Sequence, residues 1–148
     1  MKKTSIYIPF ALWVNRLVAL VTFALIFLLP RILDWYIGFR PLTDMDRTVV
    51  TACFYCCVAV ILWALWNVEI LLKSIRLGQV FIRENVARIR RICYCCGGVG
   101  LICIPAAVAY LPLIFLVIIM AFLCLMVSVV ASVMDAAVLL QEENDLTV

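Results

Sequence analysis

The sequence predicts an all-α fold, a four-helix transmembrane bundle that forms one integral membrane domain over residues 1–148. Hydrophobic residues make up 68% of the chain and charged residues only 14%, against about 25% charged residues in an average soluble domain. A soluble domain of this length could not cover so much apolar surface. The apolar residues also fall into four runs that approach the roughly 20 residues needed to cross a bilayer as a helix.

The four predicted spans cover about residues 8–29, 48–70, 92–110 and 113–134. The first run is longer than the roughly 7–15 apolar residues of a signal peptide, and no small-residue cleavage site follows it. We therefore expect the first run to remain as a membrane anchor. The third and fourth runs are separated only by an uncharged hairpin at Leu111-Pro112.

The charges of the connections predict how the spans are oriented. In the connection over residues 30–47, Asp residues balance the Arg residues. The loop over residues 71–91 is strongly basic, through Lys73, Arg76, Arg83, Arg88, Arg90 and Arg91. Lys and Arg concentrate in cytoplasmic loops. Both termini, this loop and the tail over residues 135–148 are therefore expected in the cytoplasm.

The loop before the third span has a helical pattern of its own. Apolar side chains recur there at spacings of three and four residues, at Ile82, Val86, Ile89 and Cys93. This pattern predicts an amphipathic cytoplasmic loop helix between helices two and three, lying at the headgroups with its Arg residues near anionic lipid. The helical pattern after the fourth span continues through Leu140, and an acidic tail follows that is expected to pair with the basic loop.

One basic residue lies inside the first apolar run. A central Arg costs about 2.5–3.5 kcal/mol on insertion scales, so Arg16 is expected to pair with an acid or with lipid phosphate. Glu69 and Asp135 are the only acids expected at its depth. We interpret this intramembrane ion pair as a clamp between helices, with an ion or proton pathway as the alternative.

The eight cysteines form two groups and two single residues. The groups lie early in the second and third spans, which enter the membrane from opposite faces, so they are not expected to share a metal ion. Cys is also a small packing residue, and with His absent the sequence predicts neither a metal nor a cofactor. The C-x-x-C spacing of Cys53 and Cys56 is nevertheless typical of redox pairs, so a membrane thiol oxidoreductase remains an alternative.

Two stretches carry a resemblance to a known family. The first is Gly78-x-x-Phe81-x-x-x-Asn85-x-x-x-Ile89-Arg90-x-Ile92, and the second is the acidic end Leu140-x-Glu142-Glu143-Asn144-Asp145-Leu146-Thr147-Val148. With the four-span layout, they resemble a bacterial family of small four-pass membrane proteins classed as a domain of unknown function. Its members are typically encoded beside a short Cro-type helix-turn-helix regulator. The family has no established catalytic residues, so the resemblance implies none here.

The resemblance implies a non-enzymatic multi-pass protein of the cell membrane that acts as a regulator or sensor. Its partners would be the lipid bilayer and a small cytoplasmic helix-turn-helix transcription factor. The expected contacts lie in the loop and the tail, at Phe81, Arg83, Asn85, Arg88, Arg90, Glu142, Glu143, Asp145 and Leu146. Direct nucleic-acid binding is not expected, because the basic patch is short and tied to the bilayer. A small transporter or channel subunit is the second alternative, and the sequence leaves the oligomeric state open.

Overall fold

A computed structural model of the chain describes residues 4–37, 44–109 and 111–146, with side chains for 7–32, 34–35, 45–108 and 111–144. The described residues form four helices, α1 (Thr4–Ile37), α2 (Asp44–Arg76), α3 (Arg83–Ala109) and α4 (Leu113–Leu146). All four are long and apolar enough to cross a membrane. The prediction of an all-α protein with four membrane-spanning helices is therefore confirmed.

The helices pack in chain order, each antiparallel to the next. Among the described residues α1 contacts only α2, and α3 lies between α2 and α4. Thr4, residues 77–82 and Leu146 consequently lie at the same end of the bundle, which we call the basic end. Ile37, Asp44 and residues 111–112 lie at the opposite end, the hairpin end.

The interior of the bundle is built around α3. Cys57 of α2 packs against Val99 and Cys103 of α3, and apolar side chains of α2 and α4 cover this cluster. Gly100 of α3 faces Met120 of α4, and a Cβ atom on Gly100 would lie 3.4 Å from the Cβ of Met120, an ordinary van der Waals distance. Large apolar side chains remain exposed along α1 and α4, which suits helices surrounded by lipid rather than water.

The predicted loop helix is not a separate element. The α2 helix ends at Arg76, and Gly78 follows with a φ of 81°. The Gln79 N–H donates to the Ser74 carbonyl, 3.2 Å away, in the pattern that closes many helix C-termini. The amphipathic segment then forms the first turns of α3, which runs unbroken from Arg83. Neither Gly nor Pro occurs before Gly97 in α3, so nothing interrupts the helix there.

The last helix includes most of the acidic tail. Its 34 residues, at 1.5 Å each, give a length of about 51 Å, whereas the hydrocarbon core of a bilayer is about 30 Å thick. Leu113 starts the helix directly after the hairpin, so most of the excess length projects beyond the bilayer at the basic end. The expected helical continuation to Leu140 therefore extends further, to Leu146.

Candidate functional site

Two ion pairs join α3 to α4 at the basic end. Arg83 Nε and Nη2 donate to the two carboxylate oxygens of Glu142 at 2.8 and 2.6 Å, and Arg90 Nη2 lies 2.7 Å from Asp135 Oδ2. The pairs are seven residues apart on each helix, about two turns. Because the two Arg side chains are exposed and the two acids are only partly buried, solvent screens both pairs and each contributes little stability. These four residues, which we call the α3–α4 clasp, therefore mainly orient the end of α4 along α3.

Asn85 organises the connection between α2 and α3. Its side chain is fully buried, and its Nδ2 donates to the carbonyls of Gln79 at 2.7 Å and Val80 at 3.1 Å. Its Oδ1 accepts a hydrogen bond from Arg88 Nη1 at 3.1 Å. In this position the amide holds the connection between α2 and α3, and the predicted role of Asn85 as a partner contact stays a prediction. The sequence alone did not predict that Asn85 is buried, because its burial depends on the fold of the connection between α2 and α3.

The other residues predicted to contact a partner have different environments. Phe81 is exposed at the surface, and Arg88 also pairs with Glu84 on its own helix at 3.3 Å. Arg83, Arg90 and Glu142 are engaged in the clasp, so loop and tail bind each other as the opposite charges predicted. Glu143 has interactions of its own. Asp145 and Leu146 have side chains outside the described ones.

A second charged cluster joins α1 to α2. Glu69 Oε1 accepts hydrogen bonds from Arg16 Nη2 at 3.0 Å and Nε at 3.2 Å, and Lys73 Nζ lies 3.1 Å from the same oxygen. The structure thus gives Arg16 one of its two predicted acids, while Asp135 belongs to the clasp. Asn15 Nδ2 binds the Leu65 carbonyl at 3.2 Å beside this cluster.

A matching pair closes the hairpin end of the same two helices. Arg47 Nη2 lies 2.6 Å from Asp34 Oδ1. On α1, 34 − 16 gives 18 residues between the charged positions, and on α2, 69 − 47 gives 22. At 1.5 Å per residue these are separations of about 27 and 33 Å, which bracket the roughly 30 Å of hydrocarbon. The two charged contacts between α1 and α2 are therefore separated by about the thickness of a hydrocarbon core.

The cysteines meet in two pairs that the sequence did not predict. Cys57 and Cys103 join α2 to α3 with 3.6 Å between their sulfurs, and Cys93 and Cys124 join α3 to α4 with 3.4 Å. Each pair combines a member of one group with a single cysteine, so spacing along the chain gave no signal for it. Within the described residues, no three Cys, Asp and Glu side chains come together as metal ligands.

We expect both pairs to be cross-linked by copper phenanthroline in membranes, because their sulfurs need to move only slightly to reach the disulfide length of about 2.05 Å. Three variants that each keep two cysteines would be compared: Cys57 with Cys103, Cys93 with Cys124, and, as control, Cys56 with Cys103. Cys56 is next to Cys57 in the chain but exposed. A disulfide prevents the two cysteines from reacting with a maleimide-linked polymer, so the cross-linked protein shows no shift on a gel. Equal cross-linking of the control would contradict the packing of α2 on α3.

Comparison with known proteins gives one match. The model of the family described as a protein of unknown function, DUF2975, matches residues 7–148. No curated protein and no solved structure matches the chain.

Proposed function

The chain belongs to the DUF2975 family of proteins of unknown function, and we propose that it is a non-enzymatic membrane-bound regulator. It would lie in a bacterial cytoplasmic membrane with both termini inside. There it would bind a small cytoplasmic helix-turn-helix transcription factor through the basic end. The orientation rests on the basic residues of the connection between α2 and α3, since Lys and Arg concentrate in cytoplasmic loops.

The bidentate contact between Arg83 and Glu142 carries the proposal. It holds the end of α4 against Arg83, and the exposed ring of Phe81 lies two residues before Arg83 in the chain. An exposed, low-energy ion pair is easily exchanged for another. Glu142 can therefore leave Arg83 for a cation on a partner at little cost.

Charge complementarity supports a DNA-binding partner. No Lys or Arg follows Arg91 in the sequence, and the last residues of the chain include Glu142, Glu143 and Asp145. Proteins that bind DNA present Lys and Arg to the phosphates, and a surface of that sign is steered toward an acidic helix end. A regulator held in this way would have part of its basic surface occupied, and release would return it to DNA.

Co-purification from native membranes tests this proposal. The full chain is expected to capture the tagged helix-turn-helix protein encoded beside it. A tail neutralised by Glu142→Gln, Glu143→Gln and Asp145→Asn should lower the captured amount about tenfold, equivalent to about 1.4 kcal/mol. The matched control is Asp34→Asn, which removes an acid at the hairpin end. Capture that survives the neutralised tail, or falls equally with Asp34→Asn, would contradict the proposal.

A second candidate, a membrane thiol oxidoreductase, is favoured by one observation. Cys57 and Cys103 border an apolar cleft of about 210 Å³, and their sulfurs are 3.6 Å apart. In such an enzyme the two thiols would form a disulfide and pass two electrons and two protons to a lipid-soluble quinone, giving the quinol. This pair replaces Cys53 and Cys56 as the candidate thiols. Failure of Cys57 and Cys103 to form a disulfide in membranes would exclude the candidate.

A further inference from the structure

We propose that the cleft between α3 and α4 at the basic end binds one anionic phospholipid, with the lipid phosphate against Arg91. The cleft has a volume of about 370 Å³. Its polar lining consists of Arg83, Arg90, Arg91, Tyr94 and Asp135. This site does not depend on the proposed regulatory partner, since it requires only that the helices lie in a bilayer.

The charges around the cleft favour an anion. Arg83 and Arg90 are matched by Glu142 and Asp135 in the clasp. Arg91 is exposed, and among the described side chains no carboxylate lies within ion-pair distance of it. Three guanidinium groups against two carboxylates leave one net positive charge. Arg presents several N–H donors that suit phosphate oxygens, and the clasp holds two of the three groups in place.

The depth of the cleft matches a phospholipid headgroup. From Arg91 to Ala109, the end of α3, there are 18 residues (109 − 91), or about 27 Å. Arg91 therefore lies near the boundary of a hydrocarbon core of about 30 Å. Arg and Tyr are also the side chains expected at that level, where a polar tip meets headgroups and the rest of the side chain meets lipid tails.

A small polar pocket and an exposed apolar strip continue from the cleft toward the membrane layer. A smaller pocket of about 120 Å³ shares Arg90 and Tyr94 with the cleft and continues past Ser128, Ala131 and Ser132 of α4. On α3, Tyr94, Leu101 and Val108 follow one another at seven-residue spacing, with 75%, 69% and 84% of their surface exposed. Seven residues are about two turns, so these side chains share one face. Phosphate contacts and an apolar strip thus occur in the order that a phospholipid molecule requires.

This order separates a lipid from free phosphate as the ligand. Inorganic phosphate would use only the charged cleft, whereas a phospholipid also covers the exposed strip of α3. Only the phospholipid gains binding energy from contact with that strip, since inorganic phosphate does not reach it. The two ligands therefore predict different outcomes when they compete.

Native mass spectrometry of the detergent-purified full chain tests the site with phosphatidylglycerol as the probe. Arg91→Gln is expected to weaken phosphatidylglycerol binding about fivefold, the change for one Arg near an anionic lipid surface. Arg91→Lys should retain most of the affinity. The matched control is Arg76→Gln, because Arg76 is exposed at the same end of the bundle but does not line the cleft. This control should bind phosphatidylglycerol like the unchanged chain.

Three results would overturn the proposal. An equal loss with Arg76→Gln would mean diffuse attraction to the whole basic end. Phosphatidylcholine binding as tightly as phosphatidylglycerol would mean that the anionic headgroup is not recognised. Displacement of phosphatidylglycerol by inorganic phosphate alone would identify a free-phosphate site. Should Arg91→Gln lower the thermal stability of the protein, its binding of phosphatidylcholine decides the question, because loss of the proposed site lowers phosphatidylglycerol binding alone.

Discussion

Replacing Asn85 by Ala is expected to lower the free energy of unfolding of the bundle by about 2–3 kcal/mol. The substitution removes two hydrogen bonds to the carbonyls of Gln79 and Val80 and one from Arg88. An unpaired buried polar group costs about 1–3 kcal/mol. Ala offers no donor to the Val80 carbonyl, whereas the Gln79 carbonyl keeps its hydrogen bond from the Ser74 hydroxyl. The connection between α2 and α3 should loosen first, because these bonds hold it against the start of α3.

Asn67→Ala is the matched control for this loss. Asn67 is also a buried Asn, but its Nδ2 donates to the Trp63 carbonyl of its own helix at 2.9 Å. That carbonyl keeps its backbone partner in α2 when the side chain is shortened. Denaturant unfolding in micelles, followed by circular dichroism, should show a clearly smaller loss for Asn67→Ala. Equal losses for the two variants would mean that the bonds to the connection contribute nothing of their own.

Neutralising Glu69 is expected to destabilise the protein more than neutralising Arg16. Glu69→Gln leaves both Arg16 and Lys73 without their shared carboxylate oxygen, and we expect a loss of about 1–2 kcal/mol, because each of these two partly exposed ion pairs contributes up to about 1 kcal/mol. Arg16→Gln leaves Glu69 still paired with Lys73. Its loss should therefore be clearly smaller, although both substitutions break the same contact between α1 and α2.

A double-mutant cycle in the same micelles measures this asymmetry. The double variant Arg16→Gln, Glu69→Gln should lose less stability than the sum of the single losses, because the second change removes a partner that the first has already left unpaired. Arg47→Gln, at the hairpin end, is the control for a simple exposed pair. Additive losses, or a larger loss for Arg16→Gln than for Glu69→Gln, would contradict the role given to Lys73.

The long apolar runs were enough to predict the four helices, because hydropathy and length are local properties of the chain. The depth of Arg16 likewise left only Glu69 and Asp135 as acids within reach. A choice between the two requires knowing that α1 packs on α2 and not on α4, and this order depends on contacts between distant parts of the sequence. Asp135 pairs with Arg90 for the same reason.

The cysteine pairs and the burial of Asn85 could not be predicted from local patterns. Cys57 and Cys103 meet because of the rotation of α2 about its axis and its register against α3, and a single turn of slip would separate them by about 5 Å. Asn85 looked like a surface residue because it is polar and lies between charged neighbours. Its role depends on the positive φ of Gly78, which folds residues 79 and 80 back over it.

The two ion pairs that fasten α1 to α2 make that helix pair sensitive to hydrophobic mismatch. Neither helix can slide past the other without breaking a charged contact. In a bilayer of different thickness, α1 and α2 must therefore tilt together. The α3–α4 clasp lies at the basic end only, and α1 touches nothing but α2 among the described residues. α2 is also held on α3 by the cluster of Cys57, Val99 and Cys103, so a thinner membrane would tilt α1 and α2 together with the rest of the bundle.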